Sequence, residues 1–459
     1  MNSLTYHTHD PRTGEIAASF SSATDAEIDG ACKAAKQAMQ QWAATSPAAR
    51  SQALAAIAAL MREHREELVQ LECRDTGKPI EAATGEVEGA IALWDYAASL
   101  ARTETAHAFP ASIGEGVAFT INVPVGVVGL IVPWNYPLIT TSERLPFALA
   151  AGCSVICKPS ELAAGSLPML VERIAASGLL PAGTLQLLYG TGEAIGHALC
   201  VHPDIDMIGF VGSTRVGRLI ESAATAHGKR VASELGGNNF VLVYEDADLV
   251  AAAKAVIRGG LRNGGQACVA GSHVLVAPAV AKDFAGLLQR ELASEFPTDE
   301  QGRCPAVQPM ITARHRARIA ALVEGGVREG LHMLQGSCLE GTGNFIGPVI
   351  FSDVPLNSSL LAEETFGPVI TVSAVEEAHF FDAPNASGYG LAAYVWTAST
   401  ARAIAAAKAL RAGRIWINSN PDFWVPELPV GGFGRSGTGR EMGPQALATW
   451  SLPKSVLLS

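Results

Sequence analysis

Between residues 127 and 234 short apolar runs alternate with segments that suit helices, and this rhythm restricts the possible folds more than any other feature. Residues 127–132, 154–157, 185–188, 207–211 and 230–234 read as strands; 167–176, 193–200 and 217–226 read as helices. Apolar runs separated by helical segments predict a parallel sheet covered by helices. A second α/β run follows, with strands at 273–276, 369–374 and 414–418 and helices at 280–294, 314–325 and 400–410. Upstream, residues 25–75 and 81–101 have helical periodicity, with Asp25-Ala26-Glu27-Ile28 as a start signal, and 117–124 alternates like a strand.

The chain has 459 residues, too many for one ordinary domain. The domain boundary is expected at 234–239. A net charge of −11 without Lys/Arg clusters argues against nucleic acid and anionic membranes as partners. Residues 117–142 carry no charge and could reach across a bilayer, but Pro124, Pro133 and Pro137 break a continuous helix. Buried strands and a turn are expected there. The start, Met1-Asn2-Ser3-Leu4-Thr5, has no basic or apolar leader pattern, so a cytoplasmic protein with free thiols is expected. None of the eight cysteines (Cys32, Cys73, Cys153, Cys157, Cys200, Cys268, Cys304, Cys338) has zinc-site spacing, and no metal is expected.

Two glycine-framed strings carry chemistry: Glu234-Leu235-Gly236-Gly237 and Gly264-Gly265-Gln266-Ala267-Cys268. A cysteine among small residues can be an inert core thiol, or an accessible nucleophile whose neighbours leave room for a ligand. A carboxylate before a Gly-Gly turn can simply end a strand, or be aimed into a cleft as a general base. Together they suggest a thiolate attacking a carbonyl and a carboxylate activating water against the thioester. Asn135, in Val132-Pro133-Trp134-Asn135-Tyr136-Pro137, either satisfies turn backbone or offers an amide to a developing oxyanion. Gly190-Thr191-Gly192-Glu193-Ala194-Ile195-Gly196 lies between strand and helix, but its last glycine is one residue late for a dinucleotide fingerprint. Phe210-Val211-Gly212-Ser213-Thr214 also precedes a helix, where free N–H groups suit phosphate.

These strings, with Lys158-Pro159-Ser160-Glu161, Glu363-Glu364-Thr365-Phe366-Gly367-Pro368, Pro429-Val430-Gly431-Gly432 and Ser436-Gly437-Thr438-Gly439-Arg440-Glu441, resemble the NAD(P)-dependent aldehyde dehydrogenase superfamily across residues 20–455. The resemblance implies an α/β protein with the aldehyde dehydrogenase fold. Residues 1–105 and 125–235 would form a Rossmann-like NAD-binding domain, 236–435 an α/β catalytic domain, and 106–124 with 436–459 a small β oligomerisation arm of a homodimer or homotetramer. It implies Cys268 as nucleophile, Glu234 as base, and Asn135 with the Cys268 N–H as oxyanion donors. Pro133, Trp134, Lys158, Ser160, Glu161, Gly192, Gly196, Phe210, Gly212, Ser213, Leu235, Glu364 and Phe366 would bind the cofactor. Glu161 tilts the expectation towards NAD, because a carboxylate accepts from a ribose 2′-OH and repels a 2′-phosphate, while NADP stays open. Arg144 and Glu441 would form a proton path.

The substrate would be a small-molecule aldehyde, with Tyr136, Glu143, Arg262 and Trp424 as candidate tunnel residues and Phe423 beside them. Arg262 would suit a carboxylate-bearing aldehyde and Glu143 a cationic one; alternatively the two pair with each other. Four departures from the family pattern stand out: Arg215 where Glu is usual, Arg144 where Lys is usual, Asn238-Asn239 for a common Lys-Ser, and His273 for a frequent Arg. The alternatives are a CoA-acylating relative, a non-catalytic NAD-binding protein on the same fold, and a cysteine hydrolase using His273.

Overall fold

The computed structural model describes residues 4–103, 106–110, 116–297, 306–336, 343–422 and 424–458. An antiparallel hairpin, β1 (Thr5–His9) and β2 (Ile16–Ser21), opens the chain. Four helices follow: Asp25–Ala43, Pro47–Glu63, Arg65–Thr76 and Ile80–Leu100. The first is capped by Thr24, one residue before the expected signal. Its hydroxyl accepts from the Glu27 N–H and the Glu27 carboxylate accepts from the Thr24 N–H, a reciprocal capping box. Trp94, on the last of these helices, is fully buried beside Phe147 and Trp450, and donates to Ser142 Oγ at 3.2 Å. Burying a side chain of this kind stabilises the fold by roughly 1.5–3 kcal/mol.

After the short strand β3 (Ala108–Phe109) and β4 (Val117–Pro124) comes a five-stranded parallel sheet. It contains β5 (Val127–Ile131), β6 (Ser154–Lys158), β7 (Leu185–Leu187), β8 (Met207–Val211) and β9 (Arg230–Glu234), in the order β7-β6-β5-β8-β9. Successive strands run outward one way from β5, then the chain returns to β5's other side for β8. Their carboxyl ends therefore diverge, leaving the crevice where open α/β sheets take ligands.

The second sheet contains β10 (Phe240–Val243), β11 (His273–Val276), β12 (His332–Gly336), β13 (Val349–Ser352), β14 (Val369–Ala374), β15 (Ala392–Trp396) and β16 (Arg414–Ile417). Its order is β12-β13-β14-β11-β10-β15-β16, with β12 alone antiparallel. Strands β10, β13 and β15 went unmarked in the sequence: each is a buried run of four or five residues with no polar alternation to signal it.

Finally β17 (Ser451–Leu458) pairs with all of β4, and β3 adds a third strand. Leu457 and Leu458, 84% and 64% exposed, extend at its end. Residues 436–450, expected in this arm, lie elsewhere. The Thr438 and Gly439 N–H groups donate to Ser233 O at 3.1 and 2.9 Å, and Met442, Ala446, Leu447 and Trp450 fill the core around Trp94. Among the described residues no helix is long and apolar enough to cross a membrane. The uncharged 117–142 stretch is β4, β5, a turn and the helix Pro137–Ser142.

Candidate active site

Cys268 follows the tight turn Arg262–Gly265, in which Asn263, Gly264 and Gly265 all have left-handed backbone, with φ of 53°, 64° and 72°. Gly265 is required twice over. Its φ disfavours a side chain, and a Cβ would sit 2.1 Å from Gly367 O. Buried Gln266 pins the turn by donating to Asn263 O and Pro309 O and accepting from the Ile311 N–H, all at 3.0–3.1 Å. Asn135 is bound to the same turn. Its side chain donates to Gln266 O at 3.0 Å, and Asn263 donates to Asn135 O at 3.0 Å. One N–H of the Asn135 amide is thus used to orient it, leaving the other. The Cys268 N–H has no backbone acceptor among the described residues. Asn263 and Gln266 were missed in the sequence, since a buried amide that bonds backbone carries no periodic signal.

Glu234 ends β9 and is buried. Its carboxyl is pushed up to about 7, chiefly by burial and also by nearby Glu143, with Arg144 and a hydrogen bond from Cys268 acting in the opposite sense. The Cys268 thiol is itself pushed well above its ordinary value by burial and by the Glu234, Glu143 and Glu364 carboxylates. At neutral pH the resting thiol therefore keeps its proton, and a half-ionised carboxylate stands beside it to accept that proton.

Arg144 lies behind Glu234 with no exposed surface. Its Nη2 is 3.3 Å from Glu234 Oε2 and also contacts Glu441 Oε2; its Nη1 is 3.3 Å from Glu143 Oε2 and donates to Thr140 O at 2.6 Å. Burial pushes Glu441 up to about 8. Three carboxylates share one guanidinium.

On the other side of Cys268 a cavity of about 600 Å³ opens along the crevice between β5 and β8. Of the expected cofactor residues it is lined by Pro133, Trp134, Gly212, Ser213, Leu235, Glu364 and Phe366, with Asn135 and Cys268 at its inner wall. Ser213 caps the helix Thr214–Thr225 by accepting from the Val216 N–H, so this helix starts three residues earlier than expected and presents its first turn to the cavity. Glu364 reaches over the Gly236-Gly237 turn, accepting from the Gly237 N–H at 3.0 Å; a Cβ on Gly236 would meet its Oε2 at 2.4 Å. Burial pushes Glu364 up to about 7. Phe366, at φ 49°, packs edge-on against Trp134, with His315 completing the cluster. His315 bonds Phe366 O at 2.8 Å and is held neutral by burial, its pKa near 4. His315 was missed in the sequence, as were Arg318, Tyr389 and Arg435, which also line the cavity. Arg215 and Arg218, one helical turn apart, line it too, with no carboxylate partner among the described residues.

Other expected site residues lie outside that lining. Lys158 ends β6 and pairs with Glu161 at 2.9 Å, while Ser160 accepts from the Leu162 N–H. Gly192 and Gly196 bound a wide helical turn capped by Thr191. The Phe210 ring lies beneath Gly212 as a floor, where a Cβ on the glycine would be 2.6 Å away.

Tyr136 lies under the Lys78 ammonium, 4.1 Å from its ring centroid, and Arg262 stands 6.0 Å from the same ring. Arg262 pairs with Asp422 at 3.1 Å and Glu143 with Arg144, so the two do not pair with each other. Glu143 turns Oε2 to the buried cluster, and its side chain is 13% exposed. Trp424 is half-buried near Gly89 and Ile139; Phe423 lies outside the described residues, as do Cys304 and Cys338.

Asn238 and Asn239 are structural here. Asn239 donates to Cys268 O and Ala270 O, at 2.7 and 3.0 Å, and Asn238 Oδ1 bonds His273 Nε2 at 2.8 Å. With Nδ1 on Thr371 Oγ1 at 2.9 Å, His273 has both ring nitrogens engaged, neither of them to Cys268. Among the described residues there is no cluster of three or more His, Cys, Asp or Glu able to hold a metal ion, and the six described cysteines are free.

The chain belongs to the aldehyde dehydrogenase family, whose model matches residues 1–456. It is 38% identical to aldehyde dehydrogenase NAD(P)+ 1 of Saccharomyces cerevisiae, over 98% of this chain and 91% of the relative. It is 36% identical to the NADP/NAD-dependent aldehyde dehydrogenase PuuC of Escherichia coli, over 99% and 92%. Among solved structures, the NAD+ complex of an aldehyde dehydrogenase from Bacillus cereus superposes with a TM-score of 0.95 at 33% identity, covering 99% of this chain and 93% of that one.

Proposed function

We propose that this family member oxidises an aldehyde to its carboxylic acid with NAD(P)+, through a thioester on Cys268. One observation carries the reading: the Cys268 thiol and the Asn135 amide stand at the inner wall of a cavity of about 600 Å³, and the Glu234 carboxylate is hydrogen-bonded to that thiol from behind it. The residues fit that cofactor. The helix start at Ser213 offers N–H groups to a diphosphate, half-buried Glu364 has oxygens for ribose hydroxyls, and the edge-on Trp134–Phe366 pair offers an apolar wall.

The chemistry follows from the pKa order. As Cys268 sulfur bonds to the aldehyde carbon, its proton passes to Glu234. The carbonyl oxygen, now negative, receives the free Asn135 N–H and the Cys268 N–H. When bound, the nicotinamide ring supplies the hydride acceptor that turns this adduct into the thioester. Glu234, deprotonated again, takes a proton from water as the water oxygen bonds to the acyl carbon and the carbon–sulfur bond breaks. The buried base beside Cys268 favours hydrolysis over acyl transfer to CoA, and its survival with Asn135 favours an enzyme over a non-catalytic binding protein. The engaged His273 removes support for a hydrolase dyad.

NAD is the preferred cofactor in this reading, on the strength of Glu161 at the carboxyl end of β6. A second reading, use of NADP, is supported by the unpaired Arg215 and Arg218 on the cavity wall. The Arg262–Asp422 pair offers no net charge, which favours an uncharged aldehyde. Residues 1–105 and 125–235 are assigned to cofactor binding and 236–435 to the catalytic half. The arm, with exposed Leu457 and Leu458 on β17, would join a homodimer or homotetramer, and the six free thiols suit a cytoplasmic setting. The test is rapid mixing with an aldehyde panel and NAD or NADP. Cys268→Ala should abolish NADH formation while NADH binding persists, and Glu234→Gln should give one burst of NADH and little turnover. Full steady-state activity in Cys268→Ala would overturn the reading.

A further inference from the structure

A buried cation lies at a place where the chemistry above has no use for one. Lys78, in the link between the helices Arg65–Thr76 and Ile80–Leu100, has no exposed side-chain surface. Its ammonium contacts Glu86 Oε2 and stands 3.8 Å from Glu72 Oε2. The two carboxylates differ. Glu72 accepts from Ser166 Oγ, and burial, with the Glu86 charge, pushes it up to about 8, so at neutral pH it is mostly protonated. The charge pair is therefore Lys78 with Glu86. A buried ion pair adds little net stability, because both ions lose their water. What this one contributes is set by what it touches.

It touches the Asn135 loop twice. The Lys78 ammonium lies 4.1 Å from the centroid of the ring of Tyr136, the residue after Asn135. Glu86 Oε1 accepts from the Ile139 N–H at 3.3 Å, in the first turn of the helix Pro137–Ser142 that follows. The same link also reaches the group that receives the Asn135 amide. Gly77, next to Lys78, packs so close to Pro309 that a Cβ would be 2.5 Å from its ring. Pro309 O accepts from the Gln266 side chain, and Gln266 O accepts from Asn135.

We propose that Lys78 and Glu86 are positioning residues for the oxyanion donor: the buried pair clamps the Tyr136 ring and the Ile139 N–H, and so holds the Asn135 amide in place beside Cys268. The inference rests on Asn135 being that donor. An amide stabilises charge that appears in the transition state only if it is already aimed when the charge forms. A cation over a ring favours one ring position, and away from water the pair has no solvent partner to exchange with. Neither residue lines the cofactor cavity, so the effect of their loss passes through the loop they hold.

The test is a double-mutant cycle in the full-length enzyme, reading kcat for an aliphatic aldehyde with NAD. Lys78→Met removes the ammonium and keeps the stem. It should lower kcat by roughly 10- to 100-fold, as a displaced donor does, while NADH binding, read by fluorescence, changes by less than about threefold. In an Asn135→Ala background the same substitution should change kcat by less than about twofold, because the group it positions is gone. A residue that only supports the fold would lower kcat by the same factor in both backgrounds. Equal factors overturn the proposal, as does a kcat for Lys78→Met within about twofold of wild type. Should Lys78→Met fail to fold, its combination with Glu86→Gln removes both charges together, leaves no lone buried ion, and is judged by the same two criteria. Wild-type kcat in Asn135→Ala alone would bring down the oxyanion reading itself, and that single variant reports it without reference to Lys78.

Discussion

Glu234→Gln should stabilise the protein at pH 8 while disabling it. In water a Glu side chain ionises near 4.5; in the folded protein Glu234 does so at about 7, because burial outweighs the help of Arg144. The folded state thus holds a proton that the unfolded chain has lost over pH 4.5–7. Stability is therefore drawn down as pH rises through that window, and the full deficit is present above pH 7. A gap of 2.5 units at ~1.4 kcal/mol each is worth roughly 3 kcal/mol, of which about 2 to 3 kcal/mol accrues between pH 5 and pH 8. Gln has the shape of the protonated acid and does not ionise. Its advantage over wild type should be about 1 kcal/mol at pH 5 and about 3 kcal/mol at pH 8, a rise of a few degrees in Tm for a chain of this size. Glu72 is raised in the same direction but is common to both proteins and cancels in the difference, whereas Glu364 and Glu441 lose the Glu234 charge that helps to raise them, which adds to the advantage of Gln at pH 8. The assay is thermal denaturation of both ligand-free proteins at the two pH values. A Glu234→Gln variant destabilised equally at pH 5 and pH 8, or more at pH 8, would refute the claim that the base is held against its ionisation.

Thioester hydrolysis needs Glu234 ionised, so steady turnover should fall about tenfold per pH unit below 7 and level off above it; a flat profile from pH 6 to 8 would contradict this. Gly265→Ala should cost at least tenfold in kcat, because its Cβ would stand 2.1 Å from Gly367 O and push the Cys268 turn; near-normal kcat with an unaltered circular dichroism spectrum would show that the turn can relax. Arg262→Ala should raise KM for succinic semialdehyde by less than about fivefold, and no more than for an aliphatic aldehyde, since its partner Asp422 already takes up the charge; a selective effect on the carboxylate substrate would restore Arg262 to recognition. Arg215→Glu should weaken 2′,5′-ADP binding, measured by calorimetry, more than ADP binding; equal losses would remove Arg215 from cofactor selection.

Much of the fold was legible because its first sheet repeats one unit. Strand, glycine-bearing turn and helix recur from residue 127 to 234, and each repeat marks its own ends with Gly, Pro or Ser. The same local logic marked the turns at Cys268 and Glu234, because a turn that needs left-handed backbone or a close approach shows its glycines, and the turn at Asn135, which Pro133 and Pro137 frame. Elements without such punctuation were not legible. Strands β10, β13 and β15 are short and wholly buried, so their apolar runs have no period to detect, and His315 is one position on a helix face.

Side-chain direction was the harder limit. Glu143 and Arg262 looked alike in sequence, two charged residues near the reacting centre, free to line a tunnel or to pair. What separated them was a third partner in each case. Asp422 lies 160 residues beyond Arg262, and Arg144, although adjacent to Glu143, is fixed by Glu234 and Glu441 from two distant segments. No local pattern encodes such a meeting, because each residue is unremarkable where it stands and only the folded chain removes the water between them. Once that water is gone, the rules change: a lone surface Glu keeps its ordinary pKa, whereas burial pushes Glu234 up to about 7 and Glu441 up to about 8 even beside a guanidinium. The glycines could therefore mark where chemistry happens, but whether Glu143 faces the aldehyde or the base is set by a charge balance that exists only in the folded molecule.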